Sequence, residues 1–197
     1  MSKIIESRFR VFNFDNDDIQ LNDLAGGELP VYVNRQHEQY STTLQSKIEE
    51  LEPGNVIEAE IKSESITQQD DTWIFIDLEV TDETRFHFIE NADNHTSHAE
   101  VLAEKAQKVD GVTRKGISSN GDRIGFLTAS PDKGEKFWRR LQDGLNSHEY
   151  DLRNLEEIDE PPYEVIYTRT SDEKSMIFYH FSNRDTKPAK AVLSANS

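Results

Sequence analysis

From Leu51 to Ile89 the chain reads LEPGNVIEAEIKSESITQQDDTWIFIDLEVTDETRFHFI, and apolar and polar residues alternate through three short segments of it. Successive side chains on a strand point to opposite faces, so a period of two is what a half-buried strand requires. In the first segment Ile57, Ala59 and Ile61 share one face, and Glu58 and Glu60 the other. In the second, the alternation predicts an inward row of Ile74, Ile76, Leu78 and Val80, with Asp77 and Glu79 outward and Trp73 and Phe75 as partial cover at the start. A third run, Thr84 to Ile89, groups Phe86 with Phe88 against Arg85 and His87. Three such runs in succession predict an antiparallel β meander.

A meander needs a core to rest on, and here the core is thin. Apolar residues make up 35% of the 197 positions, yet ten Phe, six Tyr and two Trp are spread along the chain, as in a folded protein. Thirty-eight acidic residues against twenty-two basic ones leave a net charge of −16, again distributed and not gathered in a tail. Such a surface keeps a protein hydrated where salt screens charge to about 3 Å, as at 1 M. It fits a salt-loving organism and equally an ordinary acidic protein. Either way it argues against broad contact with nucleic acid or anionic membrane, which need positive charge to displace counterions. The absence of cysteine excludes disulfides, thiolate metal sites and a cysteine nucleophile. MSKIIESRFR has no apolar run of signal-peptide length, and no stretch of about eighteen apolar residues follows, so a soluble cytoplasmic protein is expected.

Taken in order, residues 7 to 14 (SRFRVFNF) predict a first strand with Arg8, Arg10, Phe12 and Phe14 on one face, ended by the acidic turn Asp15 to Asp18. A turn at Gly26-Gly27 leads to a short strand from Leu29 to Val33, with Pro30 near its start where a missing donor is tolerated. A helix from about Thr42 to Leu51 follows, capped by Ser41 or Thr42 and stopped by Pro53-Gly54. Between the first and second meander strands, the segment from Ser63 to Thr72 reads as a polar and acidic loop. Residues 95 to 109 predict a helix with Ala99, Leu102, Ala103 and Ala106 inward, closed by Gly111. The run VTRKGISSNGDR reads as a mobile loop, and Arg123 to Thr128 as a strand. A helix is expected to begin near Ser130-Pro131 with Phe137, Leu141 and Leu145 as its stripe, and residues 151–160 as a hydrated acidic segment. Strands at Tyr163 to Arg169 and Lys174 to Phe181 form a hairpin, and the tail beyond Asn183 is expected to be disordered.

No catalytic motif accompanies these elements. GxSxG and GxxxxGK[ST] are both absent. His95 and His98 stand at a spacing that can bind zinc on a helix face, but without an HExxH pattern they read as polar residues of a helix start. The carboxylate pairs Asp70-Asp71, Glu156-Glu157 and Asp159-Glu160 read as solvated surface. The electrostatic anomaly is a basic island. Residues 105 to 123 carry five basic residues against two acids, a local balance of +3. Arg114, Lys115 and Arg123 from it, with Arg139 and Arg140 beside Phe137 and Trp138, are the candidate contact residues for nucleic acid or another partner. No catalytic residue, metal site or cofactor is assigned.

Two resemblances bear on these readings. The run Leu51, Gly54, Ile57, Ala59, Ile61 resembles the entry strand of OB-type nucleic-acid-binding barrels of the S1 and TRAM kind, over about eleven residues. The glycine-rich second strand and basic-flanked aromatics of those barrels do not follow, so the likeness implies a small barrel more than it implies RNA binding. The full order of features, carried by RFRVFNF, LEPGNVIEAEI, TRFHFIENA, DRIGFLTASPDKGEKFWRRLQDGL, PPYEVIYTR and MIFYHF, resembles a family of uncharacterised acidic haloarchaeal proteins of about this length. That resemblance implies a salt-adapted, cytoplasmic archaeal protein and transfers no catalytic residue.

The fold expected is α+β: a small antiparallel β-barrel or curled sheet with one helix over residues 1–93, packed with a C-terminal α-β-α-β-β layer over residues 94–183, then a disordered tail over residues 184–197. The function expected is that of a non-enzymatic binding or accessory module whose partner is a protein. RNA or single-stranded nucleic-acid binding through the basic loop is the alternative, and an enzyme with an unrecognised site the second alternative. No membrane contact is expected, and the oligomeric state is not legible.

Overall fold

The computed structural model describes residues 3–15, 17–26, 30–63, 73–144 and 148–196. The chain forms two compact units, Met1–Glu83 and Thr84–Ser197. Strands β1 (Ile4–Asp15), β2 (Asp18–Asp23), β3 (Val31–Asn34), β4 (Val56–Ser63) and β5 (Trp73–Asp82), with helix α1 (Thr42–Glu49), make the first unit. The strands bond in the order β1-β2-β3-β5-β4, and β4 pairs back to β1, so the sheet closes into a ring. Among the described residues of this sheet, β3 and β5 are the pair that runs parallel, meeting at Val33 and Trp73.

The ring is filled from both sheet and helix. Phe9, Val11, Ile19, Leu21, Ile57 and Ile61 are fully buried in one cluster, which Leu44 and Ile48 of α1 join. Helix α1 starts where Ser41 accepts a hydrogen bond from the Leu44 amide at 3.2 Å, the cap its sequence called for. Tyr40 ties the helix entry to the sheet, its hydroxyl donating to the Asn34 carbonyl at 2.6 Å and accepting from the Phe75 amide at 3.1 Å.

Two bulges rearrange faces that plain alternation assigned. Where Glu60 and Ile61 are adjacent, their partners are Asp77 and Phe75, so Ile76 is an extra residue on β5. A bulge leaves its residue unpaired and shifts the phase of the strand. Trp73, Phe75 and Leu78 therefore lie in the core and Ile76 is 42% exposed; Val80, two residues beyond Leu78 and in phase with it, is 37% exposed although an inward place was expected for it. On β1 the shift falls between Val11 and Asn13, and Phe14 turns from the Arg8 face to pack against the core. The strand β2 occupies residues for which the sequence suggested no element. Gly27, Leu29, residues 64–72 and Leu145, on which a turn, a strand start, a loop and part of a helix stripe were expected, lie outside the described residues.

The second unit holds β6 (Arg85–Ala92), α2 (Ser97–Val109), β7 (Thr113–Ser119), β8 (Asp122–Pro131), α3 (Glu135–Gln142), α4 (Glu149–Glu156), β9 (Glu164–Thr170), β10 (Ser175–Phe181) and α5 (Lys187–Ala195). Its sheet runs β6-β9-β10-β8-β7. The expected meander is corrected here. Strand β6 does not continue from β5; it pairs in parallel with β9, Phe86 opposite Val165. A strand already bonded on both sides by ring closure offers no edge to a third, and β5 is bonded by β3 and β4. The second compact unit begins at Thr84 and so includes β6.

Each sheet face has its own packing. On one, Ala99, Leu102, Ala103 and Ala106 of α2 and Ala189 and Val192 of α5 cover Leu127, Ala129, Ile166, Ile177, Tyr179 and Phe181. On the other, Phe88 stacks on Tyr167 at 5.1 Å between ring centroids and meets the Trp138 ring of α3 edge-on at 6.3 Å. The described residues hold five helices, against one expected beside the barrel and two in the layer after it. Helix α4 lies where a hydrated segment was expected, because Leu152 and Leu155 are spaced to bury. The tail expected to be disordered forms α5, with Thr186 capping the Ala189 amide and Asn196 exchanging hydrogen bonds with Asn94. Pro131 ends β8 instead of opening a helix, and α3 starts four residues later. The supposed mobile loop is the β7–β8 hairpin, turned at Asn120 and Gly121, both at positive φ.

Candidate functional site

On the α2–α5 side of the second sheet an open cleft of about 450 Å³ remains between the two helices and the hairpin. Its floor is Ile117, Leu127, Tyr179 and Phe181, from three adjacent strands. Strand period puts them together: Leu127 lies opposite Lys115 on β7 and opposite Tyr179 on β10. One wall is the first turn of α2, with Thr96 and His98, and the other is Pro188, Ala191 and Val192 of α5. Lys115, Gly116 and Ser118 form the rim along β7. In a chain with 38 acidic residues the lining has no carboxylate, and its basic residues are Lys115 and His98.

A tied polar group sits at the α2 end. The Tyr179 hydroxyl is 3.2 Å from His95 Nδ1, and Thr96 also contacts it. Burial pushes the phenol up to about 12, because the phenolate would lose its hydration. Burial likewise holds His95 below the ordinary histidine value, so the neutral ring is favoured. His95 is half-buried and not an exposed residue of the helix start, while His98 stays exposed. No group of three or more histidine or acidic side chains among the described residues is placed to hold a metal ion.

The opposite face carries a buried polar chain. His180 on β10 is fully buried and stacks on Phe126 at 4.3 Å between centroids. Its Nε2 lies 3.6 Å from Asp151 Oδ2, beyond hydrogen-bond length, and neither ring nitrogen has a hydrogen-bond partner among the described residues. Burial lowers its pKa. Burial would raise that of Asp151, but His180 and Arg114 outweigh it and the carboxyl lies below the usual range. His148, also buried, is satisfied on both sides, with the Tyr167 hydroxyl at 2.6 Å from Nδ1 and the Leu141 carbonyl at 2.8 Å from Nε2.

The five basic residues expected to form one contact surface are divided. Arg114 and Lys115 are neighbours on β7 and therefore face opposite ways. Arg114 lies over the Phe126 ring at 4.4 Å and donates to Asp151 Oδ1 at 2.6 Å, while Lys115 lines the cleft. Arg123 is exposed at the start of β8, close beside Gly116. Arg139 donates to Glu135 at 2.8 Å, and Arg140 is exposed on α3. Of the five, only Lys115 belongs to the cleft. Its other lining residues went unread because they come from segments up to nearly a hundred positions apart. The Asn120-Gly121 pair was the available signal, since that dipeptide favours a tight hairpin and would have placed Ile117 on a strand.

A comparison with curated proteins and with solved structures found no match. The coverage expected from the sequence, nearly the full chain and a family without an assigned activity, is met. The chain belongs to the DUF6663 family, a family of unknown function, whose model matches residues 1–194.

Proposed function

We propose that this protein is a non-enzymatic binding module, acting in the cytoplasm of a halophilic archaeon, and that the cleft of the second unit receives an apolar group of a protein partner. The observation that carries the reading is the cleft itself: about 450 Å³, floored by Ile117, Leu127, Tyr179 and Phe181 and free of carboxylates. Ligand sites are concave, mostly apolar and roughly 300–1,000 Å³, with few polar groups to fix orientation. The net charge of −16 supports the salt-adapted setting. For the first unit we favour an OB-type barrel, on the strength of five strands in a ring with a helix between the third and fourth.

RNA binding is the second reading. Arg123, Arg140 and Lys115 favour it by their exposure. It ranks lower because Arg114 and Arg139 are engaged by Asp151 and Glu135, and a guanidinium held by a carboxylate has less to give a phosphate.

The test is titration with anilinonaphthalene sulfonate, an apolar dye with one negative charge, against wild type and Ala191→Trp. Ala191 is exposed on α5 and lines the cleft, so the larger side chain fills it from outside the core. Saturable binding by wild type, weakened at least about tenfold in the variant, is expected from the loss of an apolar site worth about 1.4 kcal/mol or more. Equal binding by both proteins rejects the cleft. Indifference to the dye, together with binding of random-sequence single-stranded RNA that falls steeply with salt, replaces it with the RNA reading.

A further inference from the structure

We propose that the partner segment is an extended peptide that adds to the open edge of β7 and places an apolar side chain, with a neighbouring carboxylate, in the cleft. This rests on the binding-module reading and says how the site works.

The edge comes first. The sheet ends at β7, and no described residue pairs with the side of β7 away from β8. Every second residue of an edge strand turns its N–H and C=O outward, a row of hydrogen-bonding groups awaiting a strand. Proteins commonly blunt such edges, and Lys115 could serve that end alone. Here, however, the unpaired strand is also the rim of the cleft, through Lys115, Gly116, Ile117 and Ser118. Strand addition takes affinity from main-chain hydrogen bonds and specificity from pockets that receive alternate side chains. An added strand would lie in register beside β7 with alternate residues over the cleft floor.

Gly116 favours a close approach. A Cβ built on it would have only Arg123 Nε within 4 Å, at 3.8 Å, so neither packing nor crowding within the chain requires glycine there. A glycine within a strand often marks a place where another backbone comes near.

Charge selects the occupant. Lys115 on the rim and His98 on the α2 wall are the basic residues of the lining, and no lining residue is acidic. A carboxylate next to the inserted side chain would meet Lys115. A second copy of this chain carries −16 and is a poor candidate. At high salt the long-range repulsion from the rest of the surface is screened within a few ångströms, about 3 Å at 1 M, leaving Lys115 to act locally.

The experiment selects peptides from a displayed library of random ten-residue sequences against the full chain, then measures the enriched peptides by calorimetry in low and high salt. Expected are peptides with a large apolar residue beside Asp, Glu or the terminal carboxylate, bound at least about tenfold more weakly by Ala191→Trp. Methylating alternate peptide amides should weaken binding about tenfold at positions that pair with β7 and leave the intervening ones unchanged. Hydrogen exchange of Thr113–Ser119 should slow on saturation, and Lys115→Gln should cost about fivefold for peptides with the carboxylate. Peptides that respond to Ala191→Trp but not to amide methylation, with β7 exchange unchanged, would overturn strand addition and leave the cleft reading intact. Peptides indifferent to Ala191→Trp, or none enriched at all, would overturn both.

Discussion

Gly125→Ala should be among the most damaging single-methyl changes this protein can suffer. Gly125 sits on β8 directly opposite Phe181, the last residue of β10, the central strand of the second sheet. A Cβ added there would stand 2.0 Å from the His180 carbonyl oxygen, 3.0 Å from its carbon and 3.2 Å from Phe181 Cα. All three atoms are backbone, so no side-chain rotation relieves the contact. Ordinary contact begins near 3.4 Å, so β8 and β10 must part locally by more than an ångström. Parting breaks or stretches two ladder hydrogen bonds, at about 1 kcal/mol each, and leaves buried groups unsatisfied at about 1–3 kcal/mol more. It also loosens Phe126 and Phe181, which pack on opposite faces of the sheet. The sum is about 3–5 kcal/mol, in the tail of the mutational distribution. Urea unfolding of the two proteins, followed by fluorescence and circular dichroism, measures it, and the thermal midpoint should fall by about 6–20 °C for a chain of this size. Gly116→Ala on the facing strand is the control. With open space around its Cβ it should be neutral or stabilise by up to about 1 kcal/mol through the unfolded chain. A Gly125→Ala variant within 1 kcal/mol of wild type would refute the close-approach argument.

Acid should destabilise the protein partly through His180. Its pKa is lowered by burial, so the unfolded chain takes up a proton that the folded one refuses, and stability is lost as pH falls below about 6.5 toward the folded value. His180→Phe keeps the ring stack on Phe126 and should flatten the loss between pH 7 and pH 5 in urea titrations; an unchanged slope would remove His180 as the source. At the alkaline end Tyr179, raised to about 12, opposes ionisation in the folded state, so stability should decline as pH rises above about 10. Ultraviolet difference titration of wild type against Tyr179→Phe should show the missing phenol as the late-ionising one. Arg169, 7% exposed, holds the buried Asp132 at 2.8 Å and also reaches Glu90, Glu135 and Glu173. Arg169→Met should cost about 2–3 kcal/mol, less than a fully buried pair because three of its four partners are in water, and the double change Arg169→Met with Asp132→Leu should recover part of it.

What was legible from the sequence was what neighbouring residues decide among themselves. The alternation of Ile57, Ala59 and Ile61 placed them in a core, and Ser41 marked the start of α1. The alanine stripe of α2 and the hairpin of β9 and β10 were equally local. Membership of a family of unknown function was foreshadowed by a resemblance carried along the full order of features. Where a local signal was present but unread, as at Asn120-Gly121, the element was misjudged as loop. Ile76 shows the other kind of miss, since nothing in TWIFIDLEV announces a bulge. It exists because β4 and β5 must curve to let the ring close, and curvature is a property of the whole sheet.

The remaining features were decided by tertiary structure, because each joins segments with no influence on one another in sequence. Strand β6 finds its partner in β9, far along the chain, once β5 has no free side. Residues 187–195 are helical because the sheet offers Ala189 and Val192 a place to bury and Asn94 offers Asn196 hydrogen bonds. Arg114 and Lys115, adjacent in sequence, were read as one basic patch; the pleat sends one to Asp151 and the other to the cleft. The cleft itself needs α2, three strands and α5 at once. Sequence sets the faces each segment can bury, and only the assembled sheet decides which of those faces meet and which edge is left open.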